Sequence, residues 1–246
     1  MTSTNPVLQQ IAAHSTVREF EPTPLADDVI ASCVESAQQA ATSSHVQAYS
    51  LLQVTSPETR EQLAELTGGQ KQVAAAGAFF VVSADQRRHR LAAERAGKPY
   101  AANLETFLVA TVDASLFAQN LVLAFESLGF GTCYIGGLRT ELRQVDQLLS
   151  LPQDCLPLFG LCVGVPAAKN AQRPRLPLDA VLFKDSYPDD EAMLASMDEH
   201  DAAMAREYED RGLKGRNWSG GVIRKFVQPT RTDLFAYYSS KGARLE

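Results

Sequence analysis

The segment from residue 104 to residue 128 carries apolar side chains on nearly every face of the helix that it predicts. Its charged residues are Glu105, Asp113 and Glu126, and Gly129 follows where a glycine typically ends a helix. A helix that is apolar all round is expected to be buried all round. We therefore expect a central core helix, or a helix packed against a second subunit.

Composition and short patterns exclude several classes of protein. The longest uninterrupted apolar stretch, residues 73–82, is too short to span a bilayer, and the first residues lack the basic and apolar regions of a secretory signal. Four cysteines without C-x-x-C spacing argue against a zinc ribbon, a redox dithiol or a disulfide framework. A formal net charge of −6 disfavours nucleic acid. We expect a cytoplasmic globular protein with no membrane or nucleic-acid partner.

Helices and strands are mixed along the first 165 residues. Thr23-Pro24 and Ser56-Pro57 each present an N-cap hydroxyl followed by a proline, and each therefore predicts a helix start. Residues 78–84, 132–135 and 156–165 predict interior strands because they are short apolar runs bounded by turn residues. The sequence thus predicts a fold that combines α and β elements around the long apolar helix.

The last third of the chain is polarised in charge. Residues 189–210 contain nine acidic side chains against one basic residue, whereas residues 211–231 contain six basic side chains and no acid. A solvated face is the ordinary explanation of such runs. Neither part has enough apolar residues for a core of its own, so we expect a single domain over residues 1–246 with a polar C-terminal arm at about 189–246.

Two basic clusters have the composition of a phosphate site. Residues 14–20, HSTVREF, bring together two potential cations and two hydroxyls, and Arg173-Pro174-Arg175 supplies two further guanidinium groups. Guanidinium forks, hydroxyls and backbone N–H groups are the usual phosphate donors. Each cluster taken alone is better explained as a polar surface segment.

The glycine turns lack the fingerprints of common catalytic folds. Thr67-Gly68-Gly69-Gln70-Lys71 and the turn after Tyr134 fit neither G-x-G-x-x-G nor the P-loop pattern. The sequence also lacks G-x-S-x-G and H-E-x-x-H, and its histidines are isolated from one another. We therefore predict no metal site and no catalytic side chain. Many hydrogen-bond donors without a nucleophile are typical of a protein that holds a cofactor.

Short motifs along the chain resemble those of the nitroreductase superfamily, most closely its oxygen-insensitive NADPH nitroreductase and NADPH-flavin oxidoreductase branch. They are HSTVREF, ATSS-x-x-Q, TGGQK, AQN, ESLGFG, YIGGLR, LPLFGLCVG-x-P and RPRLP. The resemblance is collinear from about His14 to Arg231. It implies an α+β sandwich, in which a mostly antiparallel sheet is covered by helices around a long buried helix. It also implies an intertwined homodimer with two FMN molecules in the subunit interface.

The same resemblance implies the binding residues. The flavin phosphate would be held by His14, Ser15, Thr16, Arg18, Arg173 and Arg175. The ribityl chain or ring would meet Thr42, Ser43, Ser44 and Gln47, some of them from the second subunit. The pyrimidine edge would meet Gln70 and Lys71, and the isoalloxazine would lie against Tyr134, Ile135, Gly136 and Gly137. The NADPH 2′-phosphate would be held by Arg211, Lys214 and Arg216, as cations unopposed by acids. The chain departs from the family at Ser15, where arginine is usual, at Arg173, where lysine is usual, and in a shorter basic arm.

The implied activity is an FMN-dependent oxidoreductase that uses NADPH to reduce nitroaromatics, quinones or related planar acceptors by two-electron, ping-pong transfer. NADPH would leave before the acceptor enters, and water would supply protons, so no side-chain acid or base is needed. Three alternatives stay open: an NADPH:flavin oxidoreductase that releases reduced FMN, a flavin-binding protein without nicotinamide activity, and a non-catalytic interaction module.

Overall fold

One antiparallel sheet organises the chain in the computed structural model, which describes residues 4–168 and 170–245. Its strands lie in the order β1-β2-β4-β3. Their bounds are β1 (Tyr49–Gln53), β2 (Ala78–Asp85), β3 (Gly131–Ile135) and β4 (Cys155–Gly164). The central strand β2 is buried at every position, because helices cover the sheet. The predicted α+β class with a mostly antiparallel sheet is confirmed.

The helices surround this sheet or follow it. They are α1 (Pro6–Ala12), α2 (Asp27–Ala37), α3 (Pro57–Leu66), α4 (Gln72–Ala75), α5 (Arg87–Arg95), α6 (Leu104–Ser127), α7 (Leu142–Leu149), α8 (Asp190–Asp210), α9 (Trp218–Phe226) and α10 (Leu234–Ser240). Short 3₁₀ turns occupy Ser43–His45, Gly136–Arg139 and Leu178–Ala180.

The long helix α6 is the predicted apolar helix, and it packs in the main core. Asn103 begins it with a reciprocal capping box to Thr106, and its buried face includes Phe117, Leu121 and Phe125. A second face differs from the expectation of all-round burial. Four residues at successive i, i+4 positions are 44–50% exposed, and they form an apolar stripe: Leu104, Leu108, Val112 and Leu116.

Helix α6 also passes a length-and-hydropathy test for membrane spans within the described residues. Core helices of globular proteins pass the same test, so this result is weak evidence for a membrane segment.

One helix-start prediction is confirmed and the other is wrong. Ser56 caps α3 through a 3.1 Å hydrogen bond from the N–H of Thr59 to the serine Oγ. The chain at Thr23-Pro24 is not helical, and α2 begins only at Asp27. A Cβ placed on Gly77 would lie 2.4 Å from the Thr23 carbonyl oxygen. The segment is therefore packed closely against that glycine, and this tertiary contact overrides the local helix signal.

The described chain forms two compact units. Unit 1 comprises the chain up to Asn170 and the segment from Arg231 onward, and it contains the sheet; unit 2 comprises residues 171–230. The predicted arm is therefore divided between the units. Helix α10 belongs to unit 1, where Tyr238 is buried and its hydroxyl donates a 2.8 Å hydrogen bond to the Pro157 carbonyl.

Candidate functional site

The predicted phosphate segment of unit 1 lies beside the start of β3. Thr16 forms a parallel bridge with Thr132, and the Val17 N–H donates a 2.9 Å hydrogen bond to the Thr132 carbonyl. His14 and Ser15 are partly exposed, and Arg18 is exposed. The segment is thus held by backbone pairing while its polar side chains stay accessible.

A buried carboxylate in α6 lies directly behind this segment. One oxygen of Glu126, Oε1, lies 2.8 Å from His14 Nδ1 and accepts a 2.7 Å hydrogen bond from the Thr132 hydroxyl. The Glu126 side chain is only 8% exposed, and its other oxygen, Oε2, is buried without a hydrogen-bond partner among the described residues. Glu126 is not among the site residues that the sequence predicted. Its position as one of few charges in an apolar helix was the available signal.

The hydroxyl-rich turn after α2 has an unusual backbone. Ser44, His45 and Gln47 all have positive φ values, between 47° and 58°. Such values are costly for residues with a side chain. The predicted ligands in this turn, Thr42, Ser43, Ser44 and Gln47, are partly or fully exposed.

Asp113 of α6 binds the backbone of this turn from the buried side. Its side chain is fully buried, and its two oxygens accept hydrogen bonds from the N–H of Ser43, at 2.9 Å, and of Ala48, at 3.1 Å. The role of this acid could not be predicted from the sequence, because its partners are 70 and 65 residues away along the chain.

The glycine turn after α3 meets the turn after β3. Gln70 Nε2 donates a 2.8 Å hydrogen bond to the Thr67 carbonyl, and a Cβ placed on Gly137 would lie 2.2 Å from that Nε2 atom. Only glycine at position 137 allows this approach. The structure therefore brings Gln70 and Gly137 together, as a shared site requires. Lys71 is exposed next to them.

The exposed end of β3 borders a cavity. Tyr134 packs edge-on against Phe159, with ring centroids 5.3 Å apart, while Ile135 is buried in the sheet. The cavity has a volume of 380 Å³ and is lined by Ser115, Gln119, Tyr134, Gly136, Arg139 and Phe159. Partial burial, together with the nearby Glu126 carboxylate, raises the pKa of Tyr134, so this phenol stays neutral at physiological pH.

The predicted phosphate cations of unit 2 are exposed, but two of them share one acid. Glu207 Oε1 lies 3.1 Å from Arg211 Nη1 and 3.9 Å from Arg173 Nε. The expectation of unopposed cations is therefore wrong for Arg211, because the i, i+4 spacing on α8 places a carboxylate beside it. A phosphate group that binds Arg211 has to share it with Glu207.

The remaining predicted phosphate cations of unit 2 are accessible. Arg175, Lys214 and Arg216 are exposed, and within residues 4–168 and 170–245 none of them lies within 4.0 Å of a carboxylate. Lys214 and Arg216 flank Gly215, whose φ of +72° marks a tight turn. In the described part of the chain, no three histidine, cysteine or acidic side chains come together as a metal site would need.

Two family profiles match almost the whole chain. The profile described as the Nitroreductase family matches residues 11–165, and the one described as its C-terminal domain matches residues 173–246.

Individual relatives match at similar length. The FMN reductase (NADPH) of Bacillus subtilis is 39% identical, covering 97% of this chain and 98% of the relative. The oxygen-insensitive NADPH nitroreductase of Salmonella typhimurium is 36% identical, with the same coverage. The solved structure of B. megaterium NfrA1 superposes with a TM-score of 0.94 at 40% identity, covering 97% of this chain and 99% of that one.

Proposed function

The chain belongs to the nitroreductase family, and on this premise we propose that it is an FMN-dependent oxidoreductase that takes electrons from NADPH and reduces planar acceptors such as nitroaromatics or quinones. The chemistry that bound FMN supplies is two-electron transfer from a nicotinamide to the acceptor. The proposed acceptor is a small molecule, and no side-chain acid or base is assigned to the reaction.

The arrangement of residues along β3 is the observation that supports the proposed FMN site. Donors suited to a phosphate, His14 to Arg18, lie at the start of this strand, and Gln70 with Gly137 lies at its other end. Five residues of strand separate the two ends by about 17 Å. Segments far apart in sequence thus present a cationic and hydroxyl-rich end and an amide-bearing end along one strand, which fits an elongated ligand with a phosphate tail.

The chain's own residues have distinct proposed roles at this ligand. His14 and Arg18 bind the phosphate charge, and Ser15 and Thr16 donate hydroxyl hydrogen bonds to it. Gln70 orients the ring through its amide, and Tyr134 to Gly137 line one side of the ring with backbone that no bulky side chain covers. Arg173 and Arg175 remain predicted phosphate ligands, and the turn from Thr42 to Gln47 remains a predicted flavin contact.

Anaerobic titration tests the proposed activity directly. The purified protein should show a flavin spectrum, or gain one when FMN is added, and NADPH should bleach its visible absorbance. Addition of a quinone should then restore the absorbance. Protein that binds FMN but is not bleached by NADPH would contradict the oxidoreductase and leave the flavin-binding alternative. Protein that gains no flavin spectrum would contradict both.

Preference for NADPH is proposed to depend on Arg211. Loss of one charge-assisted phosphate contact weakens binding by about 10- to 100-fold. Arg211→Ala should therefore raise KM for NADPH by about that factor and leave KM for NADH unchanged. Arg224→Ala, which removes another exposed cation of unit 2, is the matched control. Equal changes for both nucleotides, or equal effects of both variants, would refute the assignment.

The name of one relative favours a second candidate activity. The B. subtilis relative is an FMN reductase, so release of reduced FMN to another acceptor is the alternative to direct reduction of a bound acceptor. Ultrafiltration after anaerobic reduction separates the two, because a released flavin passes the membrane and a retained flavin does not.

We also propose that the protein is a cytoplasmic homodimer. The apolar stripe of α6 is the supporting surface, since its four large side chains are 44–50% exposed in the single chain. The buried cysteines are all free thiols, which suits a reducing compartment. Sedimentation should give a dimer for the wild type and a shift toward monomer for Leu108→Asp. A wild-type monomer would refute the assembly.

A further inference from the structure

Glu126 is more deeply buried than His14, and it faces the predicted phosphate segment. Its Oε1 atom lies against His14 Nδ1 at 2.8 Å and accepts from Thr132 at 2.7 Å, while its Oε2 atom has no partner among the described residues. A buried carboxylate with one unsatisfied oxygen costs folding free energy. Stability alone therefore does not account for an acid at this position.

The contact fixes which ring nitrogen of His14 faces outward. A carboxylate accepts hydrogen bonds and does not donate them, so the Nδ1 atom carries the proton in this pair. The remaining nitrogen, Nε2, is then left for a ligand, and the His14 side chain is 30% exposed. A carboxylate behind an imidazole holds the ring orientation. In the imidazolium both ring nitrogens are donors, so Nε2 can donate to an anion while Nδ1 donates to Glu126.

The same carboxylate also ties the segment to the sheet. Thr132 pairs with Thr16 through the backbone and binds Glu126 through its hydroxyl. One acid thus connects the side chain of His14 to the strand that carries the other predicted flavin contacts.

We propose that Glu126 is a positioning residue for the phosphate of the bound flavin, acting through His14. This inference rests on the proposed function, because it takes the ligand of His14 to be the FMN phosphate. Glu126 orients the imidazole so that its Nε2 atom meets the phosphate, and it does not contact the flavin itself.

Comparison of FMN with riboflavin tests this role, because riboflavin has the same ring and ribityl chain but no phosphate. Dissociation constants for the apoprotein are measured by quenching of flavin fluorescence. The wild type should bind FMN more tightly than riboflavin. Glu126→Gln should weaken FMN binding by about 5- to 20-fold and change riboflavin binding by less than twofold.

Two further variants separate positioning from loss of structure. Asp146→Asn removes another largely buried acid of unit 1, which pairs with Lys241 at 3.0 Å, and it should change neither flavin affinity. In a His14→Ala background, Glu126→Gln should have no additional effect on FMN binding, because the residue through which it acts is gone. If Glu126→Gln fails to fold, Thr132→Val carries the test, with a smaller loss that is again confined to FMN.

The outcomes distinguish this inference from the function on which it rests. Wild-type protein that binds FMN no more tightly than riboflavin overturns the phosphate site, and the role of Glu126 with it. If the wild type binds FMN more tightly than riboflavin and Glu126→Gln leaves this preference unchanged, only the role of Glu126 is overturned. Equal weakening of both flavins by Glu126→Gln, or an undiminished effect in the His14→Ala background, also overturns it.

Discussion

Asp113→Asn tests whether a buried acid maintains the left-handed turn after α2. In the wild type, both carboxylate oxygens accept backbone N–H groups, from Ser43 at 2.9 Å and from Ala48 at 3.1 Å. Asparagine has nearly the same volume, but it has only one acceptor oxygen. Its NH₂ group would face the second N–H donor, so that one buried donor loses its partner.

The expected cost follows from these contacts. A hydrogen bond to a charged group contributes about 1.5–3 kcal/mol, and an unsatisfied buried donor costs about 1–3 kcal/mol. The turn itself stores strain, since left-handed backbone costs about 1–2 kcal/mol at each of Ser44, His45 and Gln47. Relaxation of the turn would return part of this strain. We therefore expect Asp113→Asn to lower the free energy of unfolding by about 2–4 kcal/mol.

Urea unfolding and amide hydrogen exchange measure the global and local effects. The Ala48 amide, which is buried, should exchange much faster in Asp113→Asn than in the wild type. Thr111→Val is the matched control on the same helix, because the Thr111 hydroxyl is buried without a partner among the described residues, and its removal should be neutral or slightly stabilising. A loss below about 0.5 kcal/mol for Asp113→Asn, or unchanged exchange at Ala48, would refute the reasoning.

Four other substitutions have defined outcomes. Gly242→Ala should cost at least about 2 kcal/mol in urea unfolding, because φ is +100° and the new Cβ would lie 2.2 Å from Asp154 Oδ1. Gly129→Ala, with a φ of +86° and open space around the Cβ position, should cost only about 1 kcal/mol, and equal losses would contradict the steric argument. Burial raises the pKa of Tyr238 to about 12 from an ordinary value near 10. Its contribution to stability is therefore complete below pH 10 and is lost as pH rises from 10 to 12, by about 2–3 kcal/mol. Tyr238→Phe should show a shallower decline of stability over that range, and an unchanged slope would assign the decline to other groups. Gly137→Ala should weaken FMN binding by about tenfold, because the new methyl group displaces the neighbouring amide, and unchanged FMN affinity would remove this glycine from the site.

Sequence-local signals predicted the fold well where neighbouring residues decide the structure. The cap at Ser56 and the glycine that follows α6 depend on a few adjacent residues, and both are confirmed by the structure. The predicted helix start at Thr23 is wrong because Gly77, far along the chain, packs against that segment. Periodicity identified α6 as a core helix, but it did not separate its buried face from its exposed stripe.

The candidate site also contains residues that local sequence predicts and residues that it does not. The glycine turns and the basic clusters could be identified from motifs, because backbone freedom and charge are properties of short segments. The roles of Glu126 and Asp113 depend on partners that only the fold brings near. Glu207 is an intermediate case: its spacing to Arg211 was readable as an i, i+4 pair, whereas its contact with Arg173 was not.

The return of the chain to unit 1 after residue 230 has a consequence for biosynthesis. Tyr237, 1% exposed, is among the largest buried side chains of the main core. The ribosome makes this residue only after the sixty residues of unit 2, and long after the strand residues that belong to the same core cluster. During translation, the core of unit 1 therefore lacks the Tyr237 side chain for a time. Completing this core requires contacts between residues that are far apart in the sequence. Folding of unit 1 is expected to finish late, and chaperones that recognise exposed apolar surface can bind the nascent chain before then.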